Sequence, residues 1–189
     1  MKPALFLDRD GTLNEEVDYL HRPEDLVLIP GAAAALARVN AAGIPVIVVT
    51  NQSGIGRGYY GWPEFEAVMG RMAHDLAKAG ARLDATYASP HHDKGQGDYA
   101  VADHPDRKPN PGMLRRAAEE HGLDLSRSWM VGDKAVDVEA GRRAGCRTAL
   151  VLTGYGKGED PSGADLVCAD LADAVTHILG GWPWAPRSS

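Results

Sequence analysis

Asp8 and Asp10 stand two residues apart at the end of a short apolar run, and Gly11 and Thr12 follow at once. A second polar cluster, Thr50-Asn51-Gln52-Ser53-Gly54, closes a longer apolar run; a third, Gly132-Asp133-Lys134, has Asp137 one helical turn later. Carboxylates gathered in one place repel, and some are driven toward the protonated form unless a cation sits among them. A hard divalent ion on oxygen ligands relieves that repulsion, and Mg²⁺ does so while bridging to a phosphate oxygen. The other residue types are those that phosphoryl transfer needs. Thr50 offers a hydroxyl, the Gly-containing run after it offers backbone N–H groups, and Lys108 offers an ammonium to meet charge on the transferring oxygens. One carboxylate can act as nucleophile, and a second can protonate the leaving alkoxide and then deprotonate water. On a strand, the spacing of Asp8 and Asp10 points both the same way, and Gly11 lets the backbone turn close to a ligand.

This chemistry requires the clusters to meet, and the surrounding pattern supplies a way. Strand-like runs at residues 4–7, 44–49, 84–88, 129–131, 148–152 and 164–167 alternate with helix-like segments. A helix follows Pro30-Gly31, with Leu36 and Val39 on one face, and closes at Gly43; further helices span 63–78, 111–122, 135–144 and 171–179. Strands apolar on both faces, alternating with helices, predict an α/β fold: a three-layer Rossmann-like parallel sheet with helices on both faces. Ligands bind such sheets outside the carboxyl ends of the strands, where the three clusters fall.

Composition narrows the class. With 189 residues and 44% apolar content the chain reads as a single domain over 1–189, with a long loop at 90–108 and a tail at 181–189. A net charge of −6 and the lack of a basic stripe predict no nucleic-acid partner, and no apolar run approaches the length of a membrane helix. The start, MKPALFLDRD, reaches acidic residues too soon for a signal peptide, and two cysteines, Cys146 and Cys168, suit a reducing cytoplasm. Cys146 reads as a small buried hydrophobe, and Tyr59, Tyr60 and Trp62 as packing for the segment after Thr50.

The ordered motifs resemble the haloacid dehalogenase superfamily of aspartyl phosphotransferases. DRDGT resembles its first motif, Thr50 its second, Lys108 its third and GDKAVD its fourth. The resemblance implies Asp8 as nucleophile, Asp10 as general acid and base, and Thr50 and Lys108 as phosphoryl stabilisers. It implies Mg²⁺ on Asp8, the backbone carbonyl of Asp10 and Asp133, with Asp137 holding Lys108 or a metal-bound water. About 40 residues separate Asp10 from Thr50, and neither that stretch nor 50–108 leaves room for a cap domain. FLDRDGTLN, VVTNQSGIGRGYY, DRKPNPGML and MVGDKAVDVEAG resemble the capless branch that hydrolyses heptose bisphosphates and histidinol phosphate. That branch implies substrate contacts from Glu16, Val17, Asp18, Tyr19, Thr50, Asn51, Gln52, Ser53, Arg107, Lys108 and Lys134. Arg107 and Lys134 suit a second anion, which favours a small sugar bisphosphate, with the 7-phosphate of a heptose bisphosphate as the scissile group, hydrolysed by a monomer.

Relatives hold a structural zinc through a Cys-x-His pair and a Cys-x-Cys pair at positions that here read Ser89, His91, His104 and Asp106. Without a thiolate no structural zinc is expected, although His91, His104 and Asp106 retain the types for a weaker site. His91, His92 and His104 then read as loop-surface residues, and the rigidity of Arg107 becomes a question for the structure. Histidinol phosphate is the alternative substrate. A receiver-like switch that stores an aspartyl phosphate is the alternative of another class, from which Asp10, a hydrolytic base, sets this chain apart.

Overall fold

A computed structural model describes residues 1–181; the tail read at 181–189 lies, from residue 182 onward, outside the described residues. The elements in chain order are β1 (Leu5–Leu7), α1 (Ala32–Ala41), β2 (Val46–Asn51), α2 (Ser53–Gly56), α3 (Trp62–Ala77), β3 (Ala85–Ser89), α4 (Gly112–His121), β4 (Trp129–Gly132), α5 (Ala135–Ala144), β5 (Arg147–Val151), β6 (Leu166–Cys168) and α6 (Leu171–Gly180). All six strands are parallel, in the order β3-β2-β1-β4-β5-β6. Among the described residues no helix is long and apolar enough to cross a membrane.

Strand alternation divides the interior into two layers. Leu5, Leu7, Val46, Val48 and Val131 face one side, where Leu36 and Val39 of α1, Val68, Met72 and Leu76 of α3, and Val175 and Ile178 of α6 cover them. Phe6, Ile47, Val49 and Met130 face the other, against Met113, Leu114 and Ala117 of α4 and Ala140 of α5. A strand buried on both faces has no polar side to show, which is why these runs read as continuous apolar sequence. Cys146 lies fully buried in the second layer.

Most elements shift by a residue or two from the sequence reading, and β2 departs from it at both ends. β2 starts at Val46, after Pro45, and continues past the apolar run into Thr50 and Asn51, which pair with Ala88 and Ser89 of β3. Hydrophobic patterning cannot register ladder positions filled by polar side chains, so it ends the strand too early. The short helix α2, Ser53–Gly56, has no pattern of its own and escaped notice.

β1 is the switch point, because the chain builds β2 and β3 on one side of it and β4, β5 and β6 on the other. Successive connections diverge there and leave a crevice at the carboxyl ends. Asp8 follows β1, Thr50 and Asn51 end β2, and Asp133 follows β4, so the crevice collects all three clusters. Leu36→Ala, in the α1 layer, should lower unfolding free energy by about 2–5 kcal/mol in urea titration while leaving activity per folded molecule intact.

Candidate active site

Lys108 is 2% exposed, and its ammonium makes two hydrogen bonds and a further ion pair to the protein. Nζ donates to Asp8 Oδ1 at 2.7 Å and to the Val49 carbonyl at 2.8 Å, and lies 2.6 Å from Asp137 Oδ1. Burial opposes this charge, but Asp137 and Asp8 outweigh burial and raise the lysine pKa. The backbone of Lys108 is clasped too. Asn51 Nδ2 donates to its carbonyl, and its N–H donates to Asn51 Oδ1, both at 3.0 Å. Asn51 therefore anchors the lysine as well as lining the crevice.

Asp8 follows the last residue of β1, its N–H bonded to the Val131 carbonyl at 2.9 Å, and its carboxylate is nearly closed off from solvent. Burial raises its pKa to about 6, against the pull of Lys108. Asp10 lies beyond the end of β1, so strand geometry does not set its direction, although it lines the same cavity as Asp8. The chain leaves the sheet after Leu7 and curls, with the Arg9 carbonyl accepting from Leu13 N–H at 2.8 Å. The Asp10 carboxylate instead receives Arg9 Nη2 at 2.9 Å, Asn14 Nδ2 at 3.0 Å and Gln52 Nε2 at 3.1 Å. Gln52 also donates to Thr50 Oγ1 at 2.8 Å and accepts from the Tyr60 hydroxyl at 2.5 Å.

Asp133 is fully buried, wedged between two loops. Gly11 (φ +80) and Gly154 (φ +53) both press on it, and a Cβ on either would overlap Asp133 Oδ2. That oxygen accepts the Tyr155 N–H at 2.9 Å, while Oδ1 is buried without a hydrogen-bond partner. Burial and the neighbouring Asp8 push Asp133 up to about 8.

The crevice opens into a cavity of about 330 Å³. Glu16, Val17, Asp18, Tyr19, Thr50, Asn51, Gln52, Ser53, Arg107, Lys108 and Lys134 all line it, together with Asp8 and Asp10, while Asp133 lies behind the wall. Lys134 Nζ is 3.4 Å from Glu16 Oε2 and 4.4 Å from the Tyr155 ring centre. Arg107 is half-buried and donates from Nη1 to the His91 carbonyl at 2.7 Å. The loop carrying it is held without thiolates. His91 and His104 stack at 3.4 Å with an interplanar angle of 9°, and Asp106 Oδ2 accepts from Arg116 Nη1 at 2.6 Å. Thus His91 and His104 pack on each other while staying partly exposed, each ring covering one face of the other. Among the described residues, His91, His104 and Asp106 do not form a converging group of ligand atoms.

Residues 106–174 match the HAD-hydrolase-like family model. A D-glycero-D-manno-heptose-1,7-bisphosphate 7-phosphatase from Thermosynechococcus vestitus is 48% identical over 188 residues, covering 94% of this chain and 95% of its own. The chain belongs to the haloacid dehalogenase-like hydrolases. Within that family, a D-glycero-beta-D-manno-heptose-1,7-bisphosphate 7-phosphatase from Mesorhizobium japonicum is 52% identical over 152 residues, covering 80% of this chain and 70% of the relative. The structure of D,D-heptose 1,7-bisphosphate phosphatase from B. bronchiseptica, complexed with magnesium and phosphate, superposes with a TM-score of 0.85 at 35% identity, covering 96% of this chain and 100% of that one.

The residues present fit Mg²⁺. Asp8, Asp133 and Asp137 bring carboxylate oxygens within 4.8 Å of one another, the set is oxygen only, and Asp133 Oδ1 has nothing else to bind. The Asp10 carboxylate is not part of that set and is bonded instead to Arg9, Asn14 and Gln52.

Sequence reasoning missed Arg9, Tyr60 and Tyr155 as cavity residues. Arg9 sits inside the DRDGT motif, but a charged side chain between two aspartates reads as a solvated neutraliser. Only its 1% exposure shows otherwise. Tyr155 follows a strand end whose polar cluster, Thr153-Gly154-Tyr155, was visible and not pursued.

A cation favours the ionised carboxylates; without it Asp133, at about 8, keeps its proton at neutrality, while Asp8, at about 6, loses its own just below neutrality. Mg²⁺ binding should therefore release protons, and affinity should rise with pH from about 6 to about 8. Calorimetry at pH 7 in two buffers of different ionisation enthalpy checks this; heats independent of buffer would contradict it.

Proposed function

We propose that this chain is a Mg²⁺-dependent phosphatase that hydrolyses the 7-phosphate of D-glycero-D-manno-heptose 1,7-bisphosphate through an aspartyl phosphate, on the route to nucleotide-activated heptose. The observation that carries the reaction type is the buried Asp8–Lys108–Asp137 contact, with Asp10 two residues beyond Asp8 in the same cavity. An ammonium fixed beside a carboxylate in a dry site orients the nucleophile and meets charge on the phosphoryl oxygens without reorganisation. The substrate reading is supported by the names of the relatives and by Arg107 and Lys134, two further cations lining the cavity.

In this mechanism a carboxylate oxygen of Asp8 attacks phosphorus, and the bond from phosphorus to the sugar oxygen breaks. Asp10 delivers a proton to the departing alkoxide. It then takes a proton from water as that water attacks the aspartyl phosphate, releasing inorganic phosphate and restoring Asp8. Lys108 Nζ and Thr50 Oγ1 face the phosphoryl oxygens. Mg²⁺ bound by Asp8 and Asp133 supplies the positive charge that opposes both the phosphoryl oxygens and the mutual repulsion of the carboxylates. Arg107 offers a planar fork to the distal phosphate, and Lys134 exchanges Glu16 for a substrate oxygen.

Phosphate release with Mg²⁺ from both anomers of heptose 1,7-bisphosphate, fructose 1,6-bisphosphate and histidinol phosphate tests the reading. The expected outcome is a preference for one heptose anomer of at least about tenfold in kcat/KM, about 1.4 kcal/mol. Preference for histidinol phosphate would move the substrate while keeping the chemistry, and phosphorylation without release would make the chain a storage switch. Asp8→Asn should abolish turnover while leaving substrate binding measurable by calorimetry, and substantial residual activity would remove Asp8 as nucleophile.

A further inference from the structure

Arg9 is the largest fully buried side chain among the described residues, with 1% of its surface exposed, and the mechanism above gives it no task. Its guanidinium donates from Nε and Nη2 to both oxygens of Asp10, over distances from 2.9 to 3.2 Å. Nη2 also reaches Gln52 Oε1 at 3.3 Å, and the carbon of the guanidinium lies 5.5 Å from the Phe65 ring centre. Nη1 is buried with no hydrogen-bond partner.

As a device for stability this arrangement is poor. A guanidinium taken out of water loses its hydration, and one carboxylate partner with one donor left over does not make up for it. Asp10 is the more exposed member, at 16% against 1%, so the buried cation serves the group that faces the cavity. A fork of two N–H groups fixes the plane of a carboxylate, whereas a point charge fixes only its distance. The fork is itself braced. Phe65 lies under it, and Gln52, pinned by the Tyr60 hydroxyl, joins Asp10 to Thr50 Oγ1 in one network.

We propose that Arg9 is a positioning residue that sets the Asp10 carboxyl group at the angle needed to protonate the leaving alkoxide. The proposal rests on the reading of Asp10 as the general acid. Its signature is dependence on the leaving group. An alkyl phosphate needs the proton as its bond breaks, whereas the phenolate of p-nitrophenyl phosphate departs without it, and kcat/KM reports that step alone.

The experiment measures kcat/KM for heptose 1,7-bisphosphate and p-nitrophenyl phosphate with wild type, Arg9→Lys, Arg9→Met and Asp10→Asn, each checked for folding by thermal unfolding. Arg9→Lys keeps the charge and loses the fork. The expected result is a loss of at least about tenfold on the sugar phosphate and less than about threefold on the aryl ester, with Asp10→Asn showing the same split more strongly. Phe65→Leu keeps the apolar packing and removes the ring under the guanidinium, so a smaller split of the same sign is expected even if the Arg9 variants do not fold. Equal losses on both esters in Arg9→Lys, or no split in Phe65→Leu where the Arg9 variants fail to fold, would overturn the proposal if Asp10→Asn still discriminates. If Asp10→Asn itself fails to discriminate, the reading of Asp10 as acid falls, and the proposal with it.

Discussion

A single ammonium holds the site together. Lys108 arrives from the end of the long loop and meets Asp8 from β1, the Val49 carbonyl from β2 and Asp137 from α5. Taking a lysine out of water costs several kcal/mol, and here two hydrogen bonds and two carboxylate charges offset that cost. The three acceptors come from separate elements, so the lysine can be buried only after the sheet and its helices have assembled. The same arithmetic leaves a deficit of positive charge. One lysine faces Asp8 and Asp137, and Asp133 stands beside them with an unpartnered oxygen, so the protein alone leaves negative charge in excess. The affinity of the site for a divalent cation follows from that excess.

The loop before Lys108 solves a related problem with different materials. Residues 90–108 lack the thiolates that would clamp a metal, yet Arg107 is anchored. The His91–His104 stack, the Asp106–Arg116 ion pair and the bond from Asn110 Nδ2 to Asp103 Oδ1 at 2.6 Å close the segment onto itself and onto α4. A flat pair of rings in contact removes apolar area from water without demanding charge. The His91 carbonyl can then orient the guanidinium as a rigid backbone acceptor.

Much of this was legible in the sequence, for identifiable reasons. The strands announced themselves because both faces are buried, and the site announced itself because the ends of β1, β2 and β4 all turn polar. Patterning stopped at Val49 because Thr50 and Asn51 look like loop, although their backbone pairing with Ala88 and Ser89 continues the ladder. Asp8 and Asp10 do line one cavity, but a turn places them there, since the strand ends at Leu7. Arg9, Gln52 and Tyr60 form a network whose members are 43 and 8 positions apart, a separation that no local period encodes. Histidines in a polar loop carry no signal that two of them will stack.

Gly11 belongs to the turn after β1 and Gly154 to the loop after β5, and the carboxylate they enclose belongs to the turn after β4. The loops are tied where they meet, since Thr153 Oγ1 donates to the Gly11 carbonyl at 2.6 Å. Position 154 thus works as a spacer. A side chain there would overlap Asp133 Oδ2 and the Gly11 backbone and displace the carboxylate. The absence of one methyl group, far along the chain from the turn it packs against, lets an acidic oxygen sit between two backbones.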